Sequence, residues 1–259
     1  MITATDVFSS YLQTGRRKAE MSVPRMLLLG FFAGMFIALA GVGATAAGVS
    51  IASPSVSKLI GALVFPAGLA MVVLCGAELF TGNNLMVMPL LSREIRLSGM
   101  LKNWLFVYIG NFAGSVFIAF MAVYSHTFSL FDGALAQSAV SAAAAKAQLG
   151  FGNAFLRGVL CNVLVCLAVW MSMSAKSAGG KLASLYLPIM LFVLCGFEHS
   201  IANMYYIPAG IFAASEYGIE AAGLGWSGLV TNLVPVTLGN LTGGAVIVGG
   251  GFWLAVRGR

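Results

Sequence analysis

VLCGAELFTGN, residues 73–83, and VLCGFEHSIAN, residues 193–203, are nearly the same phrase written twice, 120 positions apart. Six of the eleven letters agree: Val, Leu, Cys, Gly, the glutamate and the closing asparagine. Both copies lie inside long apolar runs, and each carries an acid, Glu78 or Glu198, where an acid is costly. The differences fall together. Leu79, Phe80 and Thr81 occupy the places that His199, Ser200 and Ile201 hold in the second copy.

The rest of the chain explains why those runs are apolar. Of 259 residues, 59% are hydrophobic and only 8% are charged, whereas a soluble domain carries about 25% charged residues. The mean hydropathy is +0.94. This composition defines a membrane protein. Runs long enough to span occur near 26–50, 59–91, 103–124, 154–174, 185–214 and 229–256. A span needs roughly 20 apolar residues, so six helices are expected. The second and fifth runs are too long for one straight crossing and are expected to tilt strongly or to break.

Basic residues set the orientation. Six spans place eleven of the fourteen Lys and Arg on one side, with only Lys58, Lys146 and Arg157 opposite. The positive-inside rule then puts both termini in the cytoplasm. The net charge of +6 reflects this topology, and nothing supports a nucleic-acid partner. The basic start resembles that of a signal peptide, but the following apolar run is too long for an h-region and reads as an uncleaved first span. Residues 4–20 are expected to form a short helix on the cytoplasmic surface. The four cysteines, 75, 161, 166 and 195, lack metal-like spacing and read as small packing residues.

A second pair of phrases extends the repeat. NWLFVYIGNFAG, residues 103–114, and NLVPVTLGNLTG, residues 232–243, share Asn, Val, Gly-Asn and Gly in register. The chain thus reads as one transmembrane domain over residues 1–259, with a first repeat at about 1–125 and a second at about 150–259. Three spans per half make the halves enter from opposite sides, an inverted repeat with breaks and the substrate path between them. Backbone freed at the breaks must be re-satisfied. Glu78 and Glu198 can accept from the freed N–H groups, and Asn83 and Asn203 can donate or accept. These four read as supports of the breaks, with direct contact of a glutamate to substrate as the alternative.

Taken together, GAELFTGN, Lys146, CNVLVCLAVWM (161–171) and GFEHSIANMYYIPAG (196–210) resemble the formate/nitrite transporter family over nearly the whole chain, and the Thr-Gly-Asn ending is similar to its hydrosulfide-channel subgroup. The resemblance implies an all-α, aquaporin-like protomer with broken helices two and five. It implies a homopentamer with one pore per protomer in the cytoplasmic membrane, passing formate, nitrite or hydrosulfide without a cofactor. It places the central histidine at His199 and its facing threonine at Thr81. The hydrophobic constrictions fall at Phe65, Leu69, Leu79, Phe80 and Phe192. The lysine before span four is Lys146, and the asparagine of span four is Asn162.

The residues themselves leave alternatives open. A histidine in a span is a functional candidate, or a neutral ring bonded to backbone. Thr81 can face an anion or the imidazole, or satisfy its own helix. The apolar five can gate by dewetting or only pack. Lys146, read as lying in a loop, can be solvated or can concentrate anions at a pore mouth. The anion can cross charged, or as a neutral acid with a proton supplied through His199. A proton-coupled carrier would use the same residues as a channel. Gly225-Trp-Ser-Gly228 matches a serine-protease motif, but no histidine follows Ser227, so an enzyme is not expected. His126 carries no assigned role.

Overall fold

A computed structural model describes residues 2–257, and every regular element among them is helical. The terminal Arg259, counted above for orientation, lies outside the described residues. Helix α1 (Ala4–Glu20) leads into α2 (Val23–Gly48). Helices α3 (Pro54–Val64) and α4 (Ala67–Cys75) run together as a largely apolar stretch of 22 residues. After a gap come α5 (Phe80–Asn83), a 3-10 turn and α6 (Val87–Leu91), then α7 (Leu97–Tyr124). The second half runs α8 (Ala134–Ala147), α9 (Phe151–Met173), α10 (Ala178–Leu194), α11 (Ser200–Glu216) and α12 (Trp226–Leu241). A π-helical stretch, Thr242–Gly250, and α13 (Gly251–Val256) complete it. Five helical stretches are long and apolar enough to cross a membrane, and α10 is a shorter apolar helix.

The two overlong runs break rather than tilt, and they break alike. Helix α4 ends at Cys75 with Gly76 at φ 69°, and Gly196, just past the end of α10, has the same φ of 69°. Glycine takes this left-handed conformation without the Cβ penalty, which is why both phrases read Cys-Gly. The chain then runs extended through the acid. It restarts from Leu79 at φ −110°, ψ 120° in one half and from His199 at φ −109°, ψ 116° in the other.

Small residues set the helix packing. Helices α2 and α7 cross so closely that a Cβ on Gly110 would meet the Leu27 carbonyl 2.5 Å away. Helices α9 and α12 cross in the same way, with Gly239 against the Phe155 carbonyl. Outward-facing leucines and valines such as Leu28, Leu105, Leu156, Val230 and Val246 stay exposed, as a lipid-facing surface requires.

Helix α1 forms where expected, with Val7, Phe8 and Tyr11 buried and the Thr3–Asp6 capping box starting it. Two expectations change. Lys146 lies in the last turn of helix α8, not in a loop. Of the four cysteines, Cys161 and Cys166 pack inside, whereas Cys75 and Cys195 are exposed at the ends of α4 and α10.

Candidate functional site

Asparagines close the breaks. The freed N–H of Phe80 donates to Asn111 Oδ1 at 3.0 Å, and that of Ser200 donates to Asn240 Oδ1 at 2.9 Å. The Nδ2 of Asn111 donates to the carbonyls of Gly30 and Glu78, and the Nδ2 of Asn240 to those of Gly158 and Glu198. One amide therefore ties each break to the helix beside it. The expectation that the glutamate side chains accept from freed backbone N–H groups is corrected here, because side chains hold them instead.

Each glutamate meets an asparagine and a lysine. Glu78 accepts from Asn83 Nδ2 at 2.7 Å and from Lys18 Nζ at 2.7 Å. Glu198 accepts from Asn203 Nδ2 at 2.6 Å and from Lys146 Nζ at 2.9 and 3.0 Å. Asn83 and Asn203 donate onward to Asn103 and Asn232, whose own Nδ2 groups donate to the backbone carbonyls of Lys18 and Lys146. The two networks share one plan and differ in detail: Lys18 donates to one oxygen of Glu78 and also to Asn83 Oδ1, whereas Lys146 donates to both oxygens of Glu198 and Asn203 Oδ1 has no partner. A carboxylate at this depth is tolerated because a cation and an amide both face it.

Lys18, Asn103, Asn111, Asn232 and Asn240 are the members that the sequence reading missed. The signal for the asparagines was present, since Asn103/Asn232 and Asn111/Asn240 are the recurring letters of the second phrase pair. Lys18 was counted only as one charge of a basic cluster.

Between the networks lies the point where the phrases differ. Thr81 Oγ1 is 2.9 Å from His199 Nε2, and both residues are buried. The Nδ1 of His199 accepts the N–H of Ala202 at 3.0 Å, so the ring caps helix α11. With Nδ1 as acceptor, the neutral ring carries its hydrogen on Nε2 and donates to Thr81. The threonine hydroxyl keeps its own hydrogen for a third partner.

Two cavities approach this pair. One, of about 440 Å³, is lined by Lys146, Glu198, Phe65, Phe192 and His199. The other, of about 470 Å³, is lined by Lys18, Glu78, Leu69 and Leu79. Phe192 stacks on the His199 ring at 5.7 Å and meets Phe65 edge-on at 5.7 Å. Four of the five expected constriction residues thus border the two cavities. Phe80 borders neither; it packs edge-on against Tyr108 and Trp104. Asn162 also stands behind the site. Its Nδ2 lies within reach of the carbonyls of Thr81 and Asn240 and of Asn84 Oδ1, while its Oδ1 has no partner. His126 is exposed, 4.0 Å from Glu216 and away from all of this.

A helical membrane protein with two breaks, a buried His–Thr pair and a lysine-bearing cavity on either side is built to pass small polar solutes. Comparison with known proteins agrees. The model of the formate/nitrite transporter family matches residues 5–254, and the chain belongs to that family. It is 37% identical over 262 residues to the formate channel FocA of Haemophilus influenzae, covering 96% of this chain and 91% of that protein. A solved ion channel of the same family superposes with a TM-score of 0.88 at 29% identity, covering 97% of this chain and 99% of that one. A pentameric formate channel with formate bound superposes with a TM-score of 0.80 at 36% identity, covering 90% and 97%. These relatives are channels and transporters rather than enzymes.

Proposed function

We propose that the protein is a channel for small monovalent anions in the cytoplasmic membrane, with formate as the lead substrate and nitrite and hydrosulfide alongside it. The carrying observation is the placement of the His199–Thr81 pair between two cavities that each hold a lysine. The chain crosses six times as an inverted repeat with both termini cytoplasmic, and it assembles as a homopentamer with one pore per protomer. The distribution of Lys and Arg supports the orientation. The likeness to the pentameric formate channel supports the assembly.

On this reading Lys146 draws anions into the outer cavity, and Lys18 does the same inside. Each lysine is partly neutralised by its glutamate, so it attracts without trapping. The apolar ring of Phe65, Phe192, Leu69 and Leu79 then penalises a hydrated ion. Past the ring the anion meets the Thr81 hydroxyl and the N-terminal end of α11, both favourable to negative charge.

The test is uptake of formate, nitrite and hydrosulfide into proteoliposomes, with and without a proton gradient. Saturable or gradient-following uptake of at least one anion, absent from empty vesicles, is expected. Uptake of none would sink the reading. Accumulation above equilibrium driven by the proton gradient would replace the channel with a proton-coupled carrier.

The ring carries its own prediction. Leu69→Ala and Phe192→Ala each open one side of the barrier and are expected to raise anion leak several-fold at equal reconstituted protein, in the way that hydrophobic gates fail when widened. Reduced conductance in both variants would mean that these side chains serve only as packing.

A further inference from the structure

The two cavities share a plan but not all of their cations. Lys18 and Lys146 occupy matching places 128 positions apart, and the same spacing sets Leu29 against Arg157. The backbone confirms that pairing. The carbonyl of Leu29 accepts from the N–H of Glu78 at 3.1 Å, and that of Arg157 accepts from the N–H of Glu198 at 3.2 Å. Leu29 lines the Lys18 cavity, and Arg157 lines the Lys146 cavity. At this matched place one cavity therefore carries a guanidinium and the other an alkyl group, although Arg17 and Arg25 line the Lys18 cavity elsewhere. Arg157 is exposed to that cavity, and among the described residues no carboxylate pairs with it. The neighbouring Glu198 is already engaged by Lys146 and Asn203.

A cation beside the break that no carboxylate pairs with has an opening for a transient anionic partner. Its chemistry narrows which one. A guanidinium presents a planar fork of N–H donors that matches two oxygens held on one atom, whereas an ammonium is a point charge. Lys58, in the same cavity, is such a point charge. We infer that Arg157 is a specificity-determining residue, taking planar two-oxygen anions such as carboxylates and nitrite in a fork as they enter the Lys146 cavity, ahead of hydrosulfide and halides. This rests on the channel reading above and deepens it.

The test compares initial rates of formate and hydrosulfide uptake, well below saturation, in proteoliposomes of wild type, Arg157→Lys, Arg157→Leu and Lys58→Met. The formate-to-hydrosulfide ratio is expected to fall on the order of tenfold in both Arg157 variants, the scale of one lost charge-assisted hydrogen bond. Lys58→Met is expected to slow both anions alike and leave the ratio where it was. Leucine fits the matching position 29, and lysine keeps the charge, so pentamers of at least one Arg157 variant are expected on gel filtration. An unchanged ratio in Arg157→Lys, or equal loss of both anions in the Arg157 variants, overturns the inference while leaving the channel reading intact. A wild type that passes hydrosulfide but no formate overturns this inference alone, and one that passes no anion overturns the channel reading with it.

Discussion

Lys146→Ala is expected to lower both the thermal stability of the protein and its anion flux, and the two losses should respond differently to a second change. The lysine is 2.9 Å from Glu198, whose side chain is only 5% exposed. Removing one partner of a buried pair leaves an uncompensated charge and typically costs about 3–5 kcal/mol. Asn203 would remain as the one side-chain donor to that carboxylate. Adding Glu198→Gln removes the stranded charge while preserving the shape and the contact to Asn203. Thermal unfolding in detergent should therefore show Lys146→Ala well below wild type and Lys146→Ala/Glu198→Gln largely recovered. Flux should stay low in both, because neither has a cation at that place in the cavity. A single variant as stable as wild type would show that the ion pair contributes nothing to the break. The same experiment on Lys18 and Glu78 should give the same direction of change, since there too a lysine and an asparagine are the side-chain donors to the buried acid.

The second large effect concerns Thr81 and His199 together. Thr81→Val keeps the shape and deletes the acceptor of the Nε2–H, and a buried donor without a partner costs about 1–3 kcal/mol. It also deletes the hydroxyl offered to the anion. A fall in flux of roughly tenfold or more is expected, as 1.4 kcal/mol is a factor of ten. His199→Asn can still cap α11, since asparagine is among the best N-cap residues, but it cannot reach as an imidazole does. Residues in one network couple by about 0.5–3 kcal/mol, so the double variant should lose less than the two single losses combined. The pH profile of the cycle separates the two routes of passage. If the anion crosses neutral with a proton supplied through His199, His199→Asn abolishes the pH dependence of flux between pH 5 and 8. If it crosses charged, the dependence follows the substrate and survives. The geometry favours the second outcome, because a ring whose Nδ1 is occupied by the Ala202 N–H gives up that cap when it takes a second proton. Additive losses would mean that Thr81 and His199 do not act on one site.

What could be read without coordinates follows from where the repeat kept its letters. VLCG twice at one spacing marked where the two overlong runs break, but the left-handed glycines that end the helices there, Gly76 and Gly196, appear only in the backbone. The substitution of His199 for Leu79 marked the site: in a duplicated phrase, a polar residue at the restart of a helix at membrane depth is what distinguishes one copy. The asparagine staples were visible as recurring letters but had no evident partner, because their bonds reach across 20 to 86 residues to other segments of the chain. Lys18 was hidden by two circumstances. It sits in a run of basic residues whose number was already explained by orientation. Its offset to Lys146 is 128 positions rather than the 120 that joins the two phrases, because the segments between differ in length, so a search at fixed spacing passes over it. Phe80 is the constriction candidate that borders neither cavity. The letters around it match the family well, but which way a side chain turns depends on Trp104 and Tyr108, two residues distant in sequence.

The matched lysine–glutamate pairs also bear on how the chain can be built. Lys18 precedes Glu78 by 60 residues and Lys146 precedes Glu198 by 52, so each base has been synthesised before its acid emerges. Neither acid needs a partner from the other half. Residues 4–124 can thus neutralise their own membrane-depth charge before residues 134–256 exist, and the second half can do the same independently. Contacts such as Thr81 with His199 and with Asn162, which belong to opposite halves, form only when both are in place. The order of assembly leaves the costliest groups satisfied early and completes the pore last.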